Sequence, residues 1–222
     1  MSFPSFLGPL TPLLQLIPTT IPLGRSSVDG GPIGGAGANQ LAFSIQAQQE
    51  SNWCWAANTS SISVFFDSTS QWTQCAVASA CLGESCCIAP TPCNQAFVLD
   101  VPLSQTNNLQ GSAIAAPDSR SALQEQIDCG SPVCCHISWA GQGGHFVTVS
   151  GYDWSTDDVI VDDPLYGPDP ARIPYNTFVS SYRGLGAGTT LTTLTPKPYG
   201  AQPWLSSPIK VRAMAQSSWQ LR

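Results

Sequence analysis

Residues 143–164 read Gly-Gly-His-Phe-Val-Thr-Val-Ser-Gly-Tyr-Asp-Trp-Ser-Thr-Asp-Asp-Val-Ile-Val-Asp-Asp-Pro. The alternation from His145 to Tyr152 predicts a strand with His145, Val147 and Val149 on one face. Asp157-Asp158 predicts a turn, and Val159 to Pro164 predicts the returning strand of a hairpin. Antiparallel pairing through a turn near Trp154–Asp158 brings Asp163 beside His145. Gly143-Gly144 lets the chain enter this hairpin close to a cleft. Pro132 to Trp139 and Thr189 to Thr195 read as two further strands, so the last third of the chain is β.

Upstream the pattern changes. Leu41 to Ile45 alternates and predicts a short strand. Trp55, Ile62, Phe65 and Phe66 fall near helical spacing, with Ser51 or Asn52 as the expected N-cap. Cys54 therefore sits in the first turn of a buried helix. Ser119 to Ile127 predicts a second, amphipathic helix through Leu123 and Ile127. Between the two lie Cys75, Cys81, Cys86, Cys87 and Cys93, read as a short helix and a stapled loop.

The chain has 222 residues, of which 10% are charged, 14 acidic against 8 basic, for a formal net charge of −6. Lys197 and Lys210 are the only lysines. A phosphate-binding surface needs clustered cations, so nucleic acid is excluded as a partner. Hydrophobic residues make up 42% with seven Trp, enough for a core and against global disorder. Nine cysteines leave one over when eight pair into four disulfides, an arrangement that belongs to an oxidising compartment. The cluster spacing of 6, 5, 1 and 6 lacks the paired knuckles of structural zinc. No metal or organic cofactor is implied.

Residues 1–38 read as a leader or pro-segment. Met1 to Gly24 has no charge and is broken by five prolines, which suits neither an ordinary secretory signal nor a membrane span. Residues 30–37 are a Gly-rich linker by composition. Residues 39–198 form the expected globular domain, and 199–222 a basic tail. No membrane association is expected, and the protein is expected to be a monomer.

A thiol is a nucleophile as thiolate, which a helix N-terminus favours. Most cysteines in such a composition are inert or disulfide-paired, but Cys54 lies apart from both cysteine clusters and the count is odd. Gln48 and Gln49, six and five positions upstream, place a side-chain amide within reach of the same pocket. A base must come from His136 or His145. His136 lies among Cys134 and Cys135 in a strand, whereas His145 follows two glycines and faces Asp163, which can hold the imidazole in one tautomer.

Three segments, Gln-Gln-Glu-Ser-Asn-Trp-Cys-Trp-Ala-Ala (48–57), Gly-Gly-His-Phe-Val-Thr-Val-Ser-Gly-Tyr-Asp (143–153) and Val-Ile-Val-Asp-Asp-Pro-Leu-Tyr-Gly (159–167), together resemble papain-like cysteine proteases. The branch they resemble is the bacterial one that includes self-processing avirulence proteases of plant pathogens. The likeness covers about residues 40–198. It implies an α+β fold, a small helical lobe packed against an antiparallel β-lobe with the active site in the cleft. By position, Cys54 becomes the nucleophile, His145 the general base and Asp163 its orienting group. Gln48 becomes the oxyanion donor with the Cys54 N–H, Gln49 being the alternative. The usual Asn of plant papain-like enzymes is here an Asp. The expected activity is cysteine endopeptidase hydrolysis of a protein or peptide substrate through an acyl-enzyme, with self-processing near Gly35-Ala36. The competing readings are an acyl transferase using the same residues and a disulfide-stapled binding or toxin-like module.

Overall fold

The computed structural model describes residues 37–110, 119–139 and 143–184, and the backbone of 191–194. The expected leader up to residue 36, the proposed cleavage point and the basic tail lie outside these residues. In chain order the elements are β1 (Ala38–Gln40), α1 (Cys54–Phe66), α2 (Gln74–Leu82), α3 (Pro90–Cys93), α4 (Asp100–Gln105) and α5 (Arg120–Asp128). Then follow β2 (Val133–Ser138), β3 (Gly144–Asp153), β4 (Asp158–Asp162), β5 (Ala171–Pro174), α6 (Tyr175–Ser181), a 3₁₀ turn (Tyr182–Gly184) and β6 (Leu191–Leu194).

All strand pairs are antiparallel, in the order β5-β4-β3-β2-β6. β1 pairs with the far end of β3, Ala38 opposite Asp153 and Gln40 opposite Gly151. Gly151 is needed there, because a Cβ at this position would lie 2.7 Å from the Asn39 carbonyl oxygen. Helices come first and the curled sheet second, an α+β fold of papain-like type.

Two cores lie on opposite faces of the sheet. One gathers Phe43, Ile45, Trp53, Trp55, Ile62, Val77, Leu99 and Leu103 with Cys134. The other packs Leu123, Ile127, Phe178 and Tyr182 onto Val133, Cys135, Val147, Val149, Val159 and Val161. The adjacent Cys134 and Cys135 show the two-residue period of a strand, one side chain entering each core. α1 is more enclosed than an amphipathic reading predicts, with its first ten residues, Cys54 to Ser63, all buried. Its polar residues repay this by bonding back one turn: Thr59 Oγ1 donates to the Trp55 carbonyl at 2.8 Å and Ser61 Oγ to that of Ala57 at 2.7 Å.

Several expectations are corrected. The cysteines form two disulfides among the described residues, Cys75–Cys87 and Cys86–Cys93, in place of four. Cys54, Cys81, Cys129, Cys134 and Cys135 keep their thiols. Cys134 and Cys135 point to different cores and take part in neither bridge. Residues 41–45 form no strand; the pairing belongs to Ala38–Gln40 and ends with the Leu41 N–H on the Ser150 carbonyl, while Phe43 and Ile45 alternate inward beyond it. α1 is preceded by Trp53 with no side-chain cap, because Ser51 and Asn52 bond instead to Asn94. α4, β5 and α6 were not expected; they are short, and their burial is decided by tertiary packing.

Candidate active site

The site lies where the start of α1 meets the start of β3 and the end of β4. Cys54 is the first residue of α1, and the absence of a side-chain cap leaves the amide dipoles of that first turn directed outward. The loop before it is held by its neighbour after α3. Asn52 N donates to Asn94 Oδ1 (2.9 Å), Trp53 Nε1 to the Cys93 carbonyl (2.8 Å) and Trp55 Nε1 to the Gln95 carbonyl (3.1 Å). The Cys86–Cys93 disulfide anchors that neighbour, so the staple supports the Cys54 loop from behind.

His145 is buried, and its Nε2 meets Asp163 Oδ1 at 2.7 Å. Nδ1 is left for the thiol of Cys54, which lies close enough to affect the ring's protonation. Burial opposes charging of the imidazole, but the Asp163 carboxylate and Cys54 outweigh it and push the His145 pKa up to about 9. The ring also stacks on Trp139 at 6.1 Å between centroids. Gly143 has φ +72°, and a Cβ on Gly144 would collide with the His136 imidazole at Nε2. The Gly-Gly step is thus required by the left-handed turn and by the neighbouring histidine. His136 lies in β2 against Phe146, its pKa lowered by burial and by the nearby charge of His145.

Asp163 is held on both oxygens. Oδ1 also accepts the Leu165 N–H (2.9 Å), and Oδ2 accepts the Tyr182 hydroxyl (2.6 Å) with Arg183 Nε at 3.8 Å. Burial alone raises a carboxyl pKa; these donors and His145 overcome it and hold Asp163 below its usual range. Its neighbour Asp162 points to the other face, fully buried, and neither of its oxygens meets a hydrogen-bond partner of good geometry. Burial pushes Asp162 up to about 6, offset only in part by the nearby Ser150 hydroxyl.

Gln48 is anchored at the same place, its N–H donating to the Pro164 carbonyl at 2.9 Å. Its side-chain Nε2 donates to the carbonyls of Glu50 (3.1 Å) and Ser51 (2.8 Å), which leads it along the loop towards Cys54. Gln49 is exposed, and its backbone N–H is held by Gln74 Oε1. The structure thus brings Cys54, His145 and Asp163 together and ties Gln48 beside them. The sequence reading overlooked Tyr182, Arg183 and Asn58. Tyr182 and Arg183 follow a helix with no visible signal, whereas Asn58, four residues after Cys54, shares its helix face by spacing alone. No group of three or more His, Cys, Asp or Glu able to hold a metal occurs among the described residues.

A thiol at a helix start, facing an imidazole and a buried carboxylate across a helix–sheet junction, defines the class of papain-like cysteine peptidases. The model of the Peptidase_C39 like family matches residues 40–190, more than half of the chain, and the chain belongs to that family. No curated protein matches it. Among solved structures it is similar to the peptidase domain of Streptococcus ComA, a bi-functional ABC transporter involved in a quorum sensing pathway. That likeness has 14% identity and a TM-score of 0.48, and covers 70% of this chain and 98% of that one. Membership of a cysteine peptidase family implies a protein or peptide substrate. Among the described residues, no helix is long and apolar enough to cross a membrane.

Proposed function

We propose that the protein is a thiol endopeptidase in which Cys54 is the nucleophile, His145 the acid and base, and Asp163 the group that orients His145. The observation that carries this reading is the buried 2.7 Å contact of His145 with Asp163, set against Cys54 at the uncapped start of α1. The Cys54 thiolate attacks the substrate carbonyl carbon, and the C=O electrons move to the oxygen. Collapse of that tetrahedral species breaks the C–N bond as His145 gives its proton to the leaving amine. Water then attacks the thioester, His145 taking the water proton, and the acid leaves with Cys54 restored. His145, with its raised pKa, is protonated at neutral pH and so is ready as the acid.

The developing oxyanion is served by the Cys54 N–H and the Gln48 amide. Since both Gln48 amide protons are spent on loop carbonyls, the role requires one of them to exchange for substrate oxygen. Residues 1–38 serve as a leader and linker, of which the enzyme removes the part before Gly35-Ala36, a reading supported by the linker composition and the resemblance to self-processing proteases. Residues 39–198 are the catalytic domain and 199–222 a basic tail, in an oxidising compartment consistent with two disulfides. The test is labelling with a thiol-directed irreversible peptide inhibitor and mapping of the adduct by mass spectrometry. Modification of Cys54, with no labelling of Cys54→Ala, is expected. Labelling first at Cys81 or Cys129 would overturn the assignment.

A further inference from the structure

Asn58 is fully buried one turn beyond Cys54 and makes three bonds, one back along its own helix and two across to the sheet. Its Nδ2 donates to the Cys54 carbonyl at 2.8 Å and to the Phe146 carbonyl at 2.9 Å. Its Oδ1 accepts from Thr148 Oγ1 at 2.6 Å. Phe146 is the residue after His145, and Thr148 lies opposite Asp162, one residue before Asp163. One amide therefore touches the backbone of the nucleophile, the backbone beside the base, and the strand pair that carries the orienting acid.

We propose that Asn58 is a positioning residue that sets the separation and register of Cys54 and His145. This inference rests on the cysteine-peptidase reading above. α1 and β3 otherwise meet through apolar packing, which is non-directional and tolerates sliding. β4 pairs with β3 only from Thr148 onward, so the strand carrying His145 runs past that support before it reaches the site. The bonds of Asn58 to the Phe146 carbonyl and from the Thr148 hydroxyl remove that freedom. The chemistry also selects the residue type: an amide supplies two N–H donors and one acceptor, the set found here. An Asp of the same shape would turn carboxylate oxygens on two carbonyls. A Leu would leave the Phe146 carbonyl without this donor and the Thr148 hydroxyl with only the weak Cys134 thiol contact at 3.6 Å. A misplacement of about 1 Å in a reacting pair costs roughly 100-fold in rate, so a small loosening is measurable.

The experiment uses the full chain and iodoacetamide as probe, with Cys54 carboxamidomethylation followed by mass spectrometry at pH 6 and pH 9. The ratio of the two rates reports the thiol–imidazole pair, because an isolated thiol reacts slowly at pH 6. Asn58→Asp is expected to lower the ratio by roughly tenfold or more, and Thr148→Val to lower it less. Thr148→Ser, which keeps the hydroxyl, is expected to restore it. Ser61→Ala, which removes the bonds to the Ala57 carbonyl and from the Gln46 N–H but none to β3, should lower Tm and leave the ratio alone. A folded Asn58→Asp protein with the wild-type ratio overturns the proposal, as does an equal drop in Ser61→Ala. Should Asn58→Asp fail to fold, the contrast between Thr148→Val and Thr148→Ser decides, and equal ratios there overturn it. A wild-type ratio no higher than that of His145→Ala sinks the peptidase reading itself, a result separate from any of these.

Discussion

The helical half of the molecule, from Phe43 to Leu109, and the sheet half, from Leu123 to Tyr182, are held together by different means. The sheet half is a layer of β-branched side chains, Val147, Val149, Val159 and Val161 among them, buried completely against α5 and α6. Each such burial contributes about 1.5–3 kcal/mol without demanding a particular partner. The helical half buries Asn58, Thr59, Ser60, Ser61, Ser63 and Gln74, and each of these has hydrogen-bond partners. Two disulfides staple its loops. A polar interior bonded in this way, with Gln48 Oε1 and Asn108 Oδ1 as exceptions, fixes a unique arrangement but punishes any single loss. The half that carries Cys54 is built for precise placement, and the half that carries His145 for robust packing.

The sharpest way to break this comparison is to remove chemistry from one half at a time. Cys54→Ala should abolish peptide hydrolysis and leave thermal unfolding nearly unchanged, as read by Tm. His145→Ala should lower kcat/KM by several powers of ten, and Asp163→Asn by about 10³–10⁴-fold. His136→Ala should keep most activity. A dead His136→Ala enzyme beside an active His145→Ala enzyme would reverse the roles assigned to the two histidines.

The next effect is on stability alone. Replacing Cys86 and Cys93 together by Ser should cost roughly 2–4 kcal/mol in urea unfolding. Because that staple backs the Cys54 loop, activity should fall in urea before the sheet loses its protection against hydrogen exchange. Simultaneous loss of both would show that the halves are one cooperative unit.

Two smaller effects follow from protonation. The folded pKa of His145 is raised from its ordinary 6.5 to about 9, so its contribution is complete below pH 6.5 and is lost as pH rises through about 9. Wild-type Tm should therefore fall over that window more than that of His145→Gln. Asp162 has the opposite consequence. Its carboxyl is raised from 3.8 to about 6, so its charge weakens the fold progressively from pH 3.8 to 6. Asp162→Asn should raise Tm at pH 7.5 and have no effect at pH 3.5.

The sheet half was the legible one. Alternation from His145 to Tyr152 and the turn before Val159 are local signals, and the structure has β3 and β4 there. The helical half hid more, because a helix buried on all sides has no polar stripe to read. Ser51 and Asn52 looked like caps, yet the partner that claims them, Asn94, lies more than 40 residues away in the chain. Cysteine pairing failed for the same reason: parity suggests four bridges, but only the fold shows Cys134 and Cys135 facing separate cores. Cys54, His145 and Asp163 could be picked out from short motifs, while Tyr182 and Arg183 could not, since their contact with Asp163 exists only after the chain has turned through β5 and α6.

The pairing of β1 with β3 decides the kinetic order of any leader removal. Ala38 is fixed opposite Asp153, eight residues along β3 from His145, a distance of about 26 Å at strand rise. The three residues back to Gly35 span at most about 11 Å, less than half of that distance. A molecule with β1 in place thus cannot bring its own Gly35-Ala36 bond to its own Cys54. Processing becomes an encounter between two molecules, one as enzyme and one as substrate. Its initial rate should rise with the square of protein concentration, and active enzyme added in trace amounts should trim the Cys54→Ala protein.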